Sequence, residues 1–132
     1  MKFAVVGSRT ITDYKIVKNI LDEHNISTII SGGAKGIDQL AERYANEKNL
    51  EKIIYLAKWD EFGRGAGMVR NTEIIKDADE VVAIWDGTSK GTENSINLAK
   101  KLNKPLYLYT VKDEQILKPC IKNHNNAIDA LF

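Results

Sequence analysis

Five short apolar runs punctuate the chain: KFAVV at 2–6, STII at 27–30, KIIYLA at 52–57, EVVAIW at 80–85 and PLYLY at 105–109. Each is rich in β-branched or aromatic residues. None keeps the alternation of a half-buried strand, and strands covered on both faces look like this. Between them the apolar period changes. In 13–25 one stripe holds Ile16, Val17, Ile20 and Leu21; in 37–49 it holds Ile37, Leu40, Ala41, Tyr44 and Ala45. Both stripes fit one face of a helix. Weaker stripes of the same kind run through 66–78 and 92–103. The order β-α-β-α-β-α-β-α-β predicts a five-stranded parallel sheet with helices on both faces. Right-handed crossovers then give the strand order 3-2-1-4-5, with the switch point between strands 1 and 4. Pro105 opens the last strand, a position an edge strand tolerates. The tail from about 111 is expected to form a short helix ending in Ile128, Leu131 and Phe132.

Length and charge narrow the picture. The 132 residues fit a single domain. Nineteen basic and eighteen acidic residues leave a net charge of +1. That balance argues against a broad field for phosphates, so nucleic acid is not an expected partner. Cys120 has no second cysteine to pair with, which fits a reducing compartment and an inert thiol. The apolar run near the start is too short for a signal peptide, and no stretch is long enough to cross a membrane. A cytoplasmic protein with no membrane partner is expected.

In a parallel sheet the loops that follow the strands gather on one edge. The nine glycines all fall in those loops. Gly7 and Gly87 close strands. Gly32, Gly33 and Gly36 lie in SGGAKG, Gly63, Gly65 and Gly67 in GRGAG, and Gly91 before Thr92. The helices end instead at Asn25, Asn49, Asn103 or an Asp-Ala pair. Glycine lets backbone amides approach a ligand closely. Each loop also feeds a helix N-terminus, whose free N–H groups favour an anion. The implied ligand carries phosphate.

No single motif is decisive. GRGAG lacks the spacing and position of the dinucleotide fingerprint, and in SGGAKG the lysine precedes the last glycine, unlike a P-loop. His24 and His124 are far apart, so no metal is expected, and no cofactor either. His24 reads as a helix-surface residue. Asp38 has two readings, a dipole partner in the first turn of its helix or a ligand contact. Thr92 reads equally as an N-cap or a phosphate contact. Arg70, one turn into a helix that starts at the cleft, suits a phosphate. Trp85 reads as core; Trp59, in a loop, suits a base or a subunit contact.

GSRT at 7–10, SGGAKGID at 31–38, GAGMVRN at 65–71 and WDGTSKGT at 85–92 occur in this order. Together they resemble the SLOG superfamily, and within it the YspA-type (cpYpsA-related) group of small bacterial and phage proteins. The resemblance covers about residues 1–110. It implies a Rossmann-like three-layer sandwich and a nucleotide or nucleotide-derived ligand. Relatives include the LOG phosphoribohydrolases, which cleave nucleoside monophosphates at the N-glycosidic bond, and DprA, which binds single-stranded DNA. LOG enzymes use a Met-x-x-Arg segment and a Gly-Gly-x-Gly-Thr-x-x-Glu segment. Here Met68-Val69-Arg70 is one residue shorter, and Ser95 stands at the Glu position.

The expectation is therefore a binding protein for a nucleoside monophosphate or an ADP-ribose-like molecule, sensing or sequestering a nucleotide signal. Amides of Gly32, Gly33, Ala34, Lys35 and Gly36, and of Gly87, Ser89, Lys90, Gly91 and Thr92, would hold phosphate. Arg9, Arg70 and Lys35 would supply charge. Ser8, Asp38 and Asn71 would read ribose or base, with Gly7, Ser31, Gly65, Gly67 and Asp86 completing the site. The alternative is an N-glycosidase with Asp38 or Asp86 as acid or nucleophile and Arg70 as phosphate anchor. Single-stranded DNA binding ranks third. The resemblance also implies a homodimer.

Overall fold

Alternate residues of one strand serve opposite faces of the sheet, and this divides the core in two. A computed structural model describes residues 1–112 and the backbone of 115–116 and 121–122. The elements are β1 (Lys2–Gly7), α1 (Tyr14–Leu21), β2 (Thr28–Ser31), α2 (Ile37–Glu47), β3 (Glu51–Ile54), α3 (Trp59–Phe62), α4 (Ala66–Asp77), β4 (Glu80–Trp85), α5 (Lys90–Lys101), β5 (Leu106–Lys112), β6 (Gln115–Ile116) and β7 (Ile121–Lys122). Phe3 and Val5 face α1 and α2, packing with Ile16, Val17, Ile20, Leu21, Ile37 and Ala41. Ala4 and Val6 face α4 and α5, packing with Ile74, Ile75, Ile96 and Ala99. The result is a three-layer sandwich, with each strand apolar on both sides because each side meets helices.

The five parallel strands run in the order β3-β2-β1-β4-β5, as the alternating pattern predicts. Two short antiparallel strands, β6 and β7, pair with the outer side of β5. This corrects the reading of β5 as an edge: Pro105 sits just before the strand, and its carbonyl accepts the Val81 amide. Most of the expected tail helix, Cys120 and His124 lie outside the described residues.

Other departures have local causes. The first helix ends at Leu21 rather than Asn25. His24 beyond it is half-buried; its ring meets Phe3 and Tyr107, and its Nε2 lies 2.9 Å from the Tyr109 hydroxyl. It is therefore not a surface residue, and burial lowers its pKa. The expected loop at 58–65 coils into α3 and a 3-10 turn at Gly63–Gly65. Thr92 is not an N-cap: α5 starts earlier, with Ser89 at that position. On the far edge Asn49 and Asn103 adopt φ of 57° and 56°. They make the left-handed turns that glycine makes elsewhere. Among the described residues no helix is long and apolar enough to cross a membrane.

Candidate functional site

The switch point between β1 and β4 is laced by side chains. Ser8 is buried, and its Oγ accepts the Asp86 amide at 3.0 Å. The Ser8 carbonyl accepts the Ile37 amide, tying β1 to the start of α2. Asp86 organises the β4–α5 corner. Its Oδ1 accepts the amides of Thr88 and Ser89 at 2.9 and 2.8 Å, and its Oδ2 accepts the hydroxyls of Thr10 and Ser89 at 2.8 and 2.9 Å. Burial opposes the Asp86 charge, but these bonds outweigh it and hold the carboxyl well below the usual range. Ser89 has the N-cap position of α5, yet its hydroxyl is spent on Asp86 and caps nothing. The first amides of α5 are left without a side-chain partner at the end where its dipole is positive.

The β2–α2 corner has the opposite character. Gly36 adopts φ +74°, and a Cβ there would meet the Ser8 carbonyl and the Arg9 backbone at 2.6 Å. Only glycine fits both the conformation and the space. The turn's own donors are largely satisfied from within: the Gly33 amide donates to Ser31 Oγ at 3.3 Å, and the Ala34 amide donates to Asp38 Oδ2 at 3.0 Å. Asp38 is 8% exposed. Burial pushes its carboxyl up from 3.8 to about 6, against the Ala34 bond and the Arg70 charge.

Helix α4 lies between the two corners and touches both. Arg70 Nη1 donates to the Gly32 carbonyl at 3.0 Å, and Asn71 Nδ2 reaches the Gly91 carbonyl at 3.5 Å. The Arg70 side chain lies so close over Gly32 that a Cβ there would come within 3.0–3.1 Å of it. Its buried Nε has no partner. The corners and α4 enclose a cleft of about 330 Å³ lined by Val6, Gly7, Arg9, Ala34, Asp38, Arg70, Asn71, Ile74, Ser89, Lys90, Gly91, Thr92 and Ser95. Arg9, Arg70 and Lys90 bring positive charge to it, and Asp38 is its one carboxylate.

Ten of the residues expected at the site line this cleft: Gly7, Arg9, Ala34, Asp38, Arg70, Asn71, Ser89, Lys90, Gly91 and Thr92. Ser8, Ser31, Gly32, Gly36 and Asp86 stand behind it, holding its walls. Asp86 as an acid is corrected on physical grounds, since its oxygens are occupied and its pKa is depressed. Gly33, Lys35, Gly65 and Gly87 are exposed and outside the lining, and Gly67 faces Trp59 instead. Missing from the expectation are Val6 and Ile74, the apolar floor, and Ser95. Ser95 could be found from its place one turn after Thr92 on the same helix; Val6 and Ile74 read only as core.

This sheet order, with glycine corners gathered at the switch point, defines a Rossmann-like domain. The chain belongs to the YspA, cpYpsA-related SLOG family (YAcAr), whose family model matches residues 1–62. The Gene 61 protein of Mycobacterium phage D29 is 32% identical over 113 residues, covering 77% of this chain and 90% of that protein. Among solved structures, DNA processing protein A (DprA) from Streptococcus pneumoniae superposes with a TM-score of 0.71 at 20% identity, over 85% of this chain and 51% of that one. This chain thus spans about half the length of that protein. DprA from Helicobacter pylori gives a TM-score of 0.65 at 22% identity, over 88% of this chain and 68% of that one. Its structure concerns a single-stranded DNA binding mode. That overturns the expectation against nucleic-acid partners: a protein that shares this fold binds DNA. Net charge was a poor guide, because a chain near neutrality can still concentrate cations at one cleft.

Proposed function

We propose that the cleft binds a phosphate-bearing nucleotide or nucleotide-derived ligand, with the phosphate at the α5 N-terminus. The observation that carries this is the diversion of the Ser89 hydroxyl to Asp86, which leaves the first α5 amides open beside Arg9, Arg70 and Lys90. The β2–α2 corner is the poorer phosphate site, because Asp38 already supplies its anion. The volume lies at the small end of ligand clefts, ~300–1,000 Å³, which favours a nucleoside monophosphate over an ADP-ribose-like molecule. A role in sensing or sequestering a nucleotide signal follows from binding without turnover, and a homodimer, checked by light scattering, is part of the same reading. Calorimetry against nucleoside monophosphates, ADP-ribose and inorganic phosphate tests it. Absence of heat at millimolar ligand overturns it.

A second reading, N-glycosidic hydrolysis, is favoured by Asp38, a buried cleft carboxyl whose pKa of about 6 suits a general acid. Release of free base from nucleoside monophosphates separates it from simple binding. A third, single-stranded DNA binding, is favoured by exposed Trp59 and Phe62 beside Lys58 and Arg64. Anisotropy of a labelled oligonucleotide at low salt decides that one.

A further inference from the structure

The two cleft carboxylate candidates differ in what they have left to give. The oxygens of Asp86 are saturated by its own corner. Asp38 is not saturated. A carboxylate offers about four acceptor sites. Backbone amides of the β2–α2 corner act on this one, Ala34 at 3.0 Å, and among the described residues no side chain donates to it. Its spare acceptor capacity lines the cleft, on a residue only 8% exposed. A molecule in the cleft is the natural source of donors for it. A phosphate cannot serve, since it would set two anions together. A donor on the neutral part of a phosphate ester can, and two adjacent hydroxyls match the two oxygens of a carboxylate.

We propose that Asp38 is the specificity-determining residue of the cleft: it accepts hydrogen bonds from the vicinal ribose hydroxyls of a ligand whose phosphate lies at the α5 N-terminus. The site therefore takes ribonucleotides and discriminates against their deoxy counterparts. This rests on the nucleotide reading of the cleft. The geometry supports the polarity: Lys90 and the open amides lie on α5, the lone carboxylate sits at the α2 wall, and Asn71 and Arg70 on α4 reach the Gly91 and Gly32 carbonyls of the two walls. A site that bonds a substrate hydroxyl rejects the analogue lacking it, because its own buried polar group is then left unpaired.

Calorimetry with the four ribonucleoside 5′-monophosphates, each against its 2′-deoxy and 3′-deoxy forms, tests the assignment. The wild-type protein is expected to bind the ribonucleotide about ten- to a hundredfold more tightly, and Asp38→Asn is expected to lose most of that margin. Equal binding of all sugar forms overturns the assignment and leaves the cleft reading standing. A margin that survives in Asp38→Asn, or that follows the base rather than the sugar, also overturns it. Failure of every nucleotide to bind removes the cleft reading and this proposal together. Should Asp38→Asn not fold, the carbon-13 resonance of the Asp38 carboxyl in the wild-type protein decides: it should move with a ribonucleotide and stay with the deoxy form, and equal movement overturns the idea.

Discussion

The Asp38 carboxylate accepts the Ala34 amide at 3.0 Å, so the chain closes its own β2–α2 corner on an internal anion. Burial nevertheless lifts that carboxyl from 3.8 to about 6. Between these values the native state holds a proton that the unfolded chain has released. Unfolding free energy should therefore fall as pH rises through this window, by roughly 3 kcal/mol for a shift of this size. Urea unfolding of the ligand-free protein from pH 4 to pH 7, in phosphate-free buffer, measures it. Asp38→Asn should flatten that slope; an unchanged slope would show that Asp38 is not the titrating group.

Asp86 has the opposite sign. Its depressed pKa means that its contribution is full at neutral pH, begins to fall below the ordinary carboxylate value and is gone only below its own depressed pKa. Asp86→Ala should cost about 2–3 kcal/mol at pH 7, since several donors lose a charged partner. The difference from the wild type should shrink below about pH 4. Thermal melting of the two proteins at pH 7 and at pH 3 compares these.

Two glycines should separate fold from ligand binding. Gly36→Ala forces a side chain into positive φ and against the Ser8 carbonyl at 2.6 Å, with an expected loss of at least about 3 kcal/mol. Gly91 has open space around its Cβ position and lies in the first turn of α5. Gly91→Ala should leave stability within about 1 kcal/mol of the wild type while weakening nucleotide binding. Parallel melting and calorimetry show whether the two effects divide this way.

Arg70→Lys keeps the charge but loses the planar fork and its bond to Gly32. Nucleotide affinity should fall about tenfold. Titration of both proteins under one buffer condition is sufficient, and equal affinities would remove Arg70 from the phosphate site.

The sheet was legible because its strands are buried on both faces and its helices keep a clear period, as Ile16, Val17, Ile20 and Leu21 show. The gathering of glycines on one edge pointed to the cleft for the same reason: a parallel sheet puts those corners together. What sequence could not reveal was how each side chain is used. Asp86 and Asp38 are both acids at strand-to-helix corners, yet the first is consumed by Thr10, Thr88 and Ser89 and the second keeps acceptor capacity toward the cleft. Ser89 and Thr92 exchanged expected places because α5 begins two residues earlier than its apolar stripe. Strands β6 and β7 are two residues each, too short to leave a period.

Arg70 and Asn71 are neighbours on one helix, and each grips a different side of the cavity. The helix behaves as a spacer: sliding or tilting it by a fraction of an ångström changes the gap on both flanks at once. Replacement of Ile75, a buried residue of the same helix outside the cleft lining, should consequently register as altered affinity.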